Sequence, residues 1–183
     1  MLDAFAGTGR VGLEAAALGA DVTLADASPG MLDVAIAEAK ARGLTVRSAL
    51  VDLTTGDLPF VPGSFDAVTV SFGVRYLDRP TEVLRDLGRL LAPGGRLVVL
   101  EFTRPGRGLV SSAAGFYFFR VLPRLAGAVA GRRELYDYLT SSTMAVGHAD
   151  DLVRIVQSAG FDVQSRRTFG FGLVTGLVGA PAA

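Results

Sequence analysis

The chain contains no cysteine, and that absence removes disulfides, thiolate nucleophiles and cysteine-held metals together. One histidine, His148, is too few for a histidine-built metal site. Lysine occurs once, at Lys40, which leaves no tyrosine–lysine pair for hydride-transfer chemistry. Neither sign of charge is in excess: 18 basic and 18 acidic side chains balance, so nothing favours nucleic acid as a partner. No run is long and apolar enough to span a bilayer. The best candidate, residues 109–130, is interrupted by Arg120, Pro123 and Arg124. Asp3 and the early glycines stand where a secretory leader would be basic and then apolar. These absences predict a soluble cytoplasmic protein, with residues 109–130 a candidate for peripheral contact with a membrane surface.

What is present suits a single α/β domain. The chain has 183 residues, half of them hydrophobic. Strand-like and helix-like segments alternate, which predicts a mostly parallel sheet. Strands are expected at 1–4, 21–25, 44–50, 65–72, 96–102, 161–168 and 171–178. Helices are expected at 10–18, from Ser28 and Pro29 to Gly43, from Pro80, and over 150–159. Residues 111–130 read as one or two further helices. Leu32, Ala35, Ile36 and Ala39 form the predicted apolar face of the second helix, and Val83, Leu84 and Leu87 that of the third. Pro93-Gly94-Gly95 is expected to break the chain before the fifth strand.

Gly7-Thr8-Gly9-Arg10-Val11-Gly12 fits G-x-G-x-x-G, the pattern of a tight strand-to-helix turn that lets a ligand approach the backbone. Alone it does not separate NAD, FAD and S-adenosylmethionine. Asp26, at the end of the second strand, is suited to accept from both hydroxyls of a ribose. Asp52, at the end of the third, is suited to accept from an adenine amino group beside the Leu53 amide. All lie at the carboxyl ends of successive strands, where open α/β sheets bind ligands.

Further segments settle the cofactor. Asp3-x-x-x-Gly7-x-Gly9, Leu58-Pro59-Phe60 with Ser64-Phe65-Asp66, and Leu91 to Leu97 resemble the signature segments of Rossmann-like methyltransferases. Ser71-Phe72-Gly73-Val74-Arg75, Leu100-Glu101-Phe102-Thr103-Arg104-Pro105, the run from Phe116 to Pro123 and Tyr136-x-Tyr138-Leu139 are similar to the menaquinone and ubiquinone biosynthesis C-methyltransferases. The resemblance implies a class I methyltransferase fold with strand order 3-2-1-4-5-7-6 and strand seven antiparallel. It implies S-adenosyl-L-methionine as cofactor, with contacts from Asp3, Ala4, Gly7, Thr8, Gly9, Asp26, Ala27, Met31, Asp52, Leu53 and Ser71. Family members carry a helical segment ahead of the glycine turn, so residues 1–183 are expected to be one methyltransferase domain lacking it. Tyr76 stands where the family more often has asparagine, and the loop between Asp52 and Leu58 is longer by about two residues on a by-eye reading.

The implied reaction is methylation of a ring carbon on a prenylated quinol. It needs two oriented reactants, loss of one proton and exclusion of water, and no metal. Arg75 is a candidate to hold an oxyanion on the ring, against the plainer reading of a surface salt bridge. Tyr136 and Tyr138 are candidates to bond the substrate hydroxyl. The aromatic residues of 116–122 are expected mostly to pack, with one or two touching substrate. His148, before Asp150 and Asp151, reads as a helix start rather than a base. Alternatives are a methyltransferase for another apolar small molecule, a non-catalytic S-adenosylmethionine binder and an NAD-dependent oxidoreductase.

Overall fold

The computed structural model describes residues 1–106 and 146–182. Seven strands form one sheet: β1 (Leu2–Ala4), β2 (Thr23–Asp26), β3 (Arg47–Leu50), β4 (Phe65–Ser71), β5 (Leu91–Phe102), β6 (Phe161–Phe169) and β7 (Val174–Pro181). Their order is β3-β2-β1-β4-β5-β7-β6, as the family resemblance implied. The β1–β2, β2–β3, β1–β4 and β4–β5 pairs are parallel, while β7 runs antiparallel to β5 and β6. The carboxyl ends of β1 to β5 therefore share one edge, with β1 at its centre.

Four α-helices are named among the described residues: α1 (Arg10–Ala17), α2 (Pro29–Ala41), α3 (Pro80–Gly88) and α4 (Ala149–Ser158), with short 3₁₀ turns at Val74–Tyr76 and Gly170–Gly172. Leu2, Val68, Val70, Leu97 and Val99 of the sheet join Val83, Leu84 and Leu87 of α3 and Leu152 and Val156 of α4 in one apolar cluster. Val22 and Leu24 join Leu32 and Ala35 of α2 in a second, with Ala15 and Ala16 of α1 against it. Ser28 caps α2 as expected, accepting from the Met31 amide at 3.4 Å. Ile36 departs from the predicted apolar face and is exposed.

Three strands start three or more residues away from the sequence expectation. β3 starts at Arg47 rather than residue 44, because Gly43 takes a φ of 67° and the Leu44 amide returns to the Ala39 carbonyl at 2.9 Å. Residues 44–46 are spent leaving the helix. Pro93-Gly94-Gly95 lies inside β5 rather than before it. Phe65 pairs with Leu91 and Ala67 with Arg96, so the segment loops out opposite Asp66. Proline lacks an N–H, and a bulge is where a strand tolerates that. At the last hairpin Gly170–Gly172 forms a short 3₁₀ turn with Phe171 at a φ of 59°, so β7 starts at Val174 rather than residue 171. The predicted helices over 111–130 lie outside the described residues. Among the described residues no helix is long and apolar enough to cross a membrane.

Candidate active site

The glycine turn runs from the end of β1 into α1. Gly7 and Gly9 have φ values of 55° and 75°, and Phe5 has 57°. The three motif glycines do different work. A Cβ on Gly9 would stand 2.9 Å from Ala35 Cβ, and one on Gly12 would stand 2.3 Å from Leu24 Cδ2. Both glycines let α1 seat against α2 and β2. A Cβ on Gly7 would meet only Met31 Sδ, at 3.6 Å. Gly7 is the glycine that faces open space.

Gly9, at the N-cap of α1, has no side chain to offer the helix. Asp3 supplies the missing acceptor from β1: its Oδ2 accepts from the Gly12 amide at 2.8 Å, and its Oδ1 accepts from Thr69 Oγ1 at 2.6 Å. A carboxylate at a helix N-terminus also meets the positive end of the helix dipole. Burial pushes the Asp3 carboxyl above its ordinary range, against the lowering effect of the Thr69 and Gly12 bonds. Asp26 fixes the other side of the turn. Its Oδ2 accepts from the Gly7 amide at 2.7 Å and its Oδ1 from the Ser28 amide at 2.9 Å.

Between these elements lies a cleft of about 300 Å³, lined by Asp3, Phe5, Gly7, Thr8, Met31, Ser71 and Phe72 among others. Asp3, Gly7, Thr8, Met31 and Ser71 of the sequence expectation thus converge. Ala4 is fully buried beneath the cleft, Gly9 is buried behind it, and Ala27 is exposed beside Asp26. Asp52 and Leu53 lie past the end of β3 and do not line this cleft. Asp52 closes a turn on itself: its Oδ1 accepts from the Thr54 amide at 2.9 Å and from Thr54 Oγ1 at 2.6 Å. Those bonds hold its carboxyl below the ordinary range. Leu53 places its side chain in the core.

Arg75 is where the structure departs most from the sequence reading. It is neither a surface salt bridge nor open to the cleft. Its side chain is 7% exposed, with Nη1 donating to Glu101 Oε1 at 3.2 Å and Nη2 to Tyr76 Oη at 2.9 Å. The guanidinium lies against the rings of Phe72, Tyr76 and Phe102. Glu101 is fully buried, and desolvation pushes its carboxyl up against the opposing pull of the Phe102 amide and Arg75. The sequence reading missed Glu101, Phe5 and Phe72. The available signals were an aromatic residue directly after each of the strand ends β1 and β4, and the family-like segments that hold Phe72 and Glu101 without a role assigned to either.

His148 sits at the N-cap of α4. Its amide donates to Asp151 Oδ2 at 2.7 Å, and Nδ1 lies 3.2 Å from the Arg104 carbonyl oxygen. It borders a separate polar hollow with Arg154 and Arg166, away from the cleft, as expected of a helix start. Tyr136 and Tyr138 lie outside the described residues. Among the described residues no cluster of metal-ligating side chains occurs.

The sequence profile of the ubiE/COQ5 methyltransferase family matches residues 1–180. The chain belongs to that family. A demethylmenaquinone methyltransferase of Thermus thermophilus is 42% identical over 177 residues, covering 95% of this chain and 80% of the relative. A ubiquinone/menaquinone biosynthesis C-methyltransferase of Roseobacter denitrificans is 36% identical over 179 residues, covering 94% and 70%. Among solved structures, a SAM-dependent methyltransferase from Aquifex aeolicus matches with a TM-score of 0.69 at 16% identity, over 97% of this chain and 79% of that one. That last likeness is one of fold. The glycine turn, Asp26 and the aromatic cleft lie at the same carboxyl edge of the sheet, with Asp26 bonded to the Gly7 amide but not itself lining the cleft.

Proposed function

We propose that this chain is an S-adenosylmethionine-dependent C-methyltransferase acting on a prenylated quinol of the demethylmenaquinol or ubiquinone-precursor type, with the described sheet and helices as its methyl-transfer domain. The observation that carries the choice of cofactor is the Asp3 carboxylate on the Gly12 amide. It supplies, from within the fold, the negative charge that a dinucleotide's pyrophosphate would bring to the start of α1. A cofactor without phosphates and with positive charge suits a turn bounded by Asp3 and Asp26. The names of the relatives support the quinol acceptor.

The residues present fit the cofactor. Each Asp26 oxygen holds one backbone amide and keeps a lone pair for a ribose hydroxyl. Gly7 leaves room for close approach, while Phe5, Met31 and Phe72 give the cleft apolar walls. We assign Asp52 Oδ2 and the Leu53 amide to the adenine end, and Thr8, Ala27 and Ser71 to the rim. When bound, S-adenosylmethionine supplies a sulfonium-activated methyl group. The chain's part is to orient the acceptor carbon in line and keep water out. For the acceptor we assign Tyr136 or Tyr138 to the ring hydroxyl, and Arg75 to electrostatic support from beneath the aromatic wall. A membrane-soluble acceptor also fits contact of residues 109–130 with a membrane surface.

Titration calorimetry with S-adenosylmethionine and with NAD tests the class. Micromolar-scale binding of S-adenosylmethionine alone is expected. Binding of NAD alone would overturn the reading. Methylation of a reduced demethylnaphthoquinol then tests the acceptor, and turnover only with other apolar phenols would keep the class and change the substrate.

A further inference from the structure

Glu101 is a fully buried acid whose two oxygens reach the end of its own strand β5 and the turn that follows β4. Oε1 accepts from the Phe102 amide at 2.8 Å and from Arg75 Nη1 at 3.2 Å, and Oε2 accepts from the Arg75 amide at 3.2 Å. One carboxylate thereby holds the backbone and the side chain of Arg75 against the end of β5. The guanidinium lies 5.7 Å from the Phe72 ring centroid, 4.7 Å from that of Tyr76 and 5.1 Å from that of Phe102. Phe72 and Ser71, at the other end of the same turn, line the cleft.

We propose that Glu101 is a positioning residue for the methyl transfer: acting through Arg75, it fixes the turn from Ser71 to Tyr76 and so holds the aromatic wall of the cleft in place. The inference rests on reading that cleft as the methyl-donor site.

Two observations favour positioning over simple stability. A buried ion pair is a poor source of stability, because desolvation offsets its attraction and an apolar pair of similar volume often packs as well. What it adds here is a fixed orientation. Phe72 has a φ of 58°, a conformation that a phenylalanine keeps only where its surroundings hold it. Its amide is tied to the Leu100 carbonyl at 2.7 Å, one residue before Glu101. The strained residue that walls the cleft is thus anchored on both sides by the end of β5.

The test compares the unmodified protein, Glu101→Gln, and the double variant Arg75→Met/Glu101→Leu, which replaces the pair by apolar side chains. Three readouts are taken: S-adenosylmethionine affinity by calorimetry, turnover with reduced demethylnaphthoquinol, and the ¹⁵N–¹H signal of Arg75 Nε, identified by its loss in the double variant. Glu101→Gln is expected to lower kcat at least about tenfold, with a smaller loss of cofactor affinity. The Arg75 signal should move or broaden. The double variant should recover melting temperature without recovering kcat. Recovery of both would make the pair packing only, and an unmoved Arg75 signal in Glu101→Gln would also overturn the proposal. If the unmodified protein binds S-adenosylmethionine but methylates no quinol, the acceptor reading fails, while the signal of Arg75 still decides the role of Glu101.

Discussion

A glycine motif is one pattern in the sequence and two jobs in the structure. Gly12→Ala would put a methyl group 2.3 Å from Leu24 Cδ2 and 2.9 Å from Asp3 Oδ2, with packed strands behind both. Overpacking of this kind costs about 1–3 kcal/mol or more, and a lowered melting temperature is the expected result. Gly7→Ala meets no such wall, though its φ of 55° costs an L-residue about 1–2 kcal/mol. There the expected loss is in S-adenosylmethionine affinity, measured by calorimetry, beyond the loss in stability. Equal losses of affinity in the two variants would remove Gly7 from the cofactor site. Asp26→Ala deletes the acceptor of two backbone amides and, on the proposed reading, of two ribose hydroxyls. Bonds to a charged acceptor are worth about 1.5–3 kcal/mol each, so loss of the two ribose bonds is expected to weaken affinity roughly a hundredfold to ten-thousandfold. Unchanged affinity would exclude Asp26 from the ribose. The letters G-x-G-x-x-G were legible in the sequence. Which glycine faces ligand and which faces the core was not, because that depends on Ala35 and Leu24, brought in from other elements.

Strands and helices were legible where periodicity or capping is local, as in α2 behind Ser28-Pro29 and α3 behind Pro80. They were misplaced where a long-range partner decides, as at the bulge of β5, which exists because Ala67 pairs with Arg96 and Phe65 with Leu91. The same limit hid the environment of Arg75. Its position after β4 was readable, but its burial depends on Glu101, 26 residues later on the neighbouring strand. That partner changes what substitution does. Arg75→Ala leaves Glu101 fully buried without its cation, and breaking such a pair costs about 3–5 kcal/mol. We expect lowered stability, and turnover per folded molecule lowered by more than cofactor affinity. Parallel falls in turnover and affinity, measured on the folded fraction, would make Arg75 a purely structural residue.

At the scale of the whole molecule, Asp3 joins the central strand β1 to α1 through Gly12 and to β4 through Thr69. Its titration is therefore coupled to global unfolding. Burial raises its folded pKa above the unfolded value, with the Thr69 and Gly12 bonds opposing. Below the unfolded value the side chain is protonated in both states and no penalty acts. As pH rises, the unfolded chain releases its proton first, and the folded chain holds its own until a higher pH. Stability is lost across that window and stays lost above it. Asp3→Asn cannot titrate, yet its amide can still accept from Gly12 and donate to Thr69 Oγ1. The melting temperature of Asp3→Asn relative to the unmodified protein should therefore rise from acid toward neutral pH. Each 1 kcal/mol of the difference reads as about 2–4 °C in a chain of this size. A difference that does not change with pH would mean that the Gly12 and Thr69 bonds offset the desolvation of Asp3. A difference that narrows toward neutral pH would mean that they outweigh it, and that the carboxylate is the favoured form beneath the cleft.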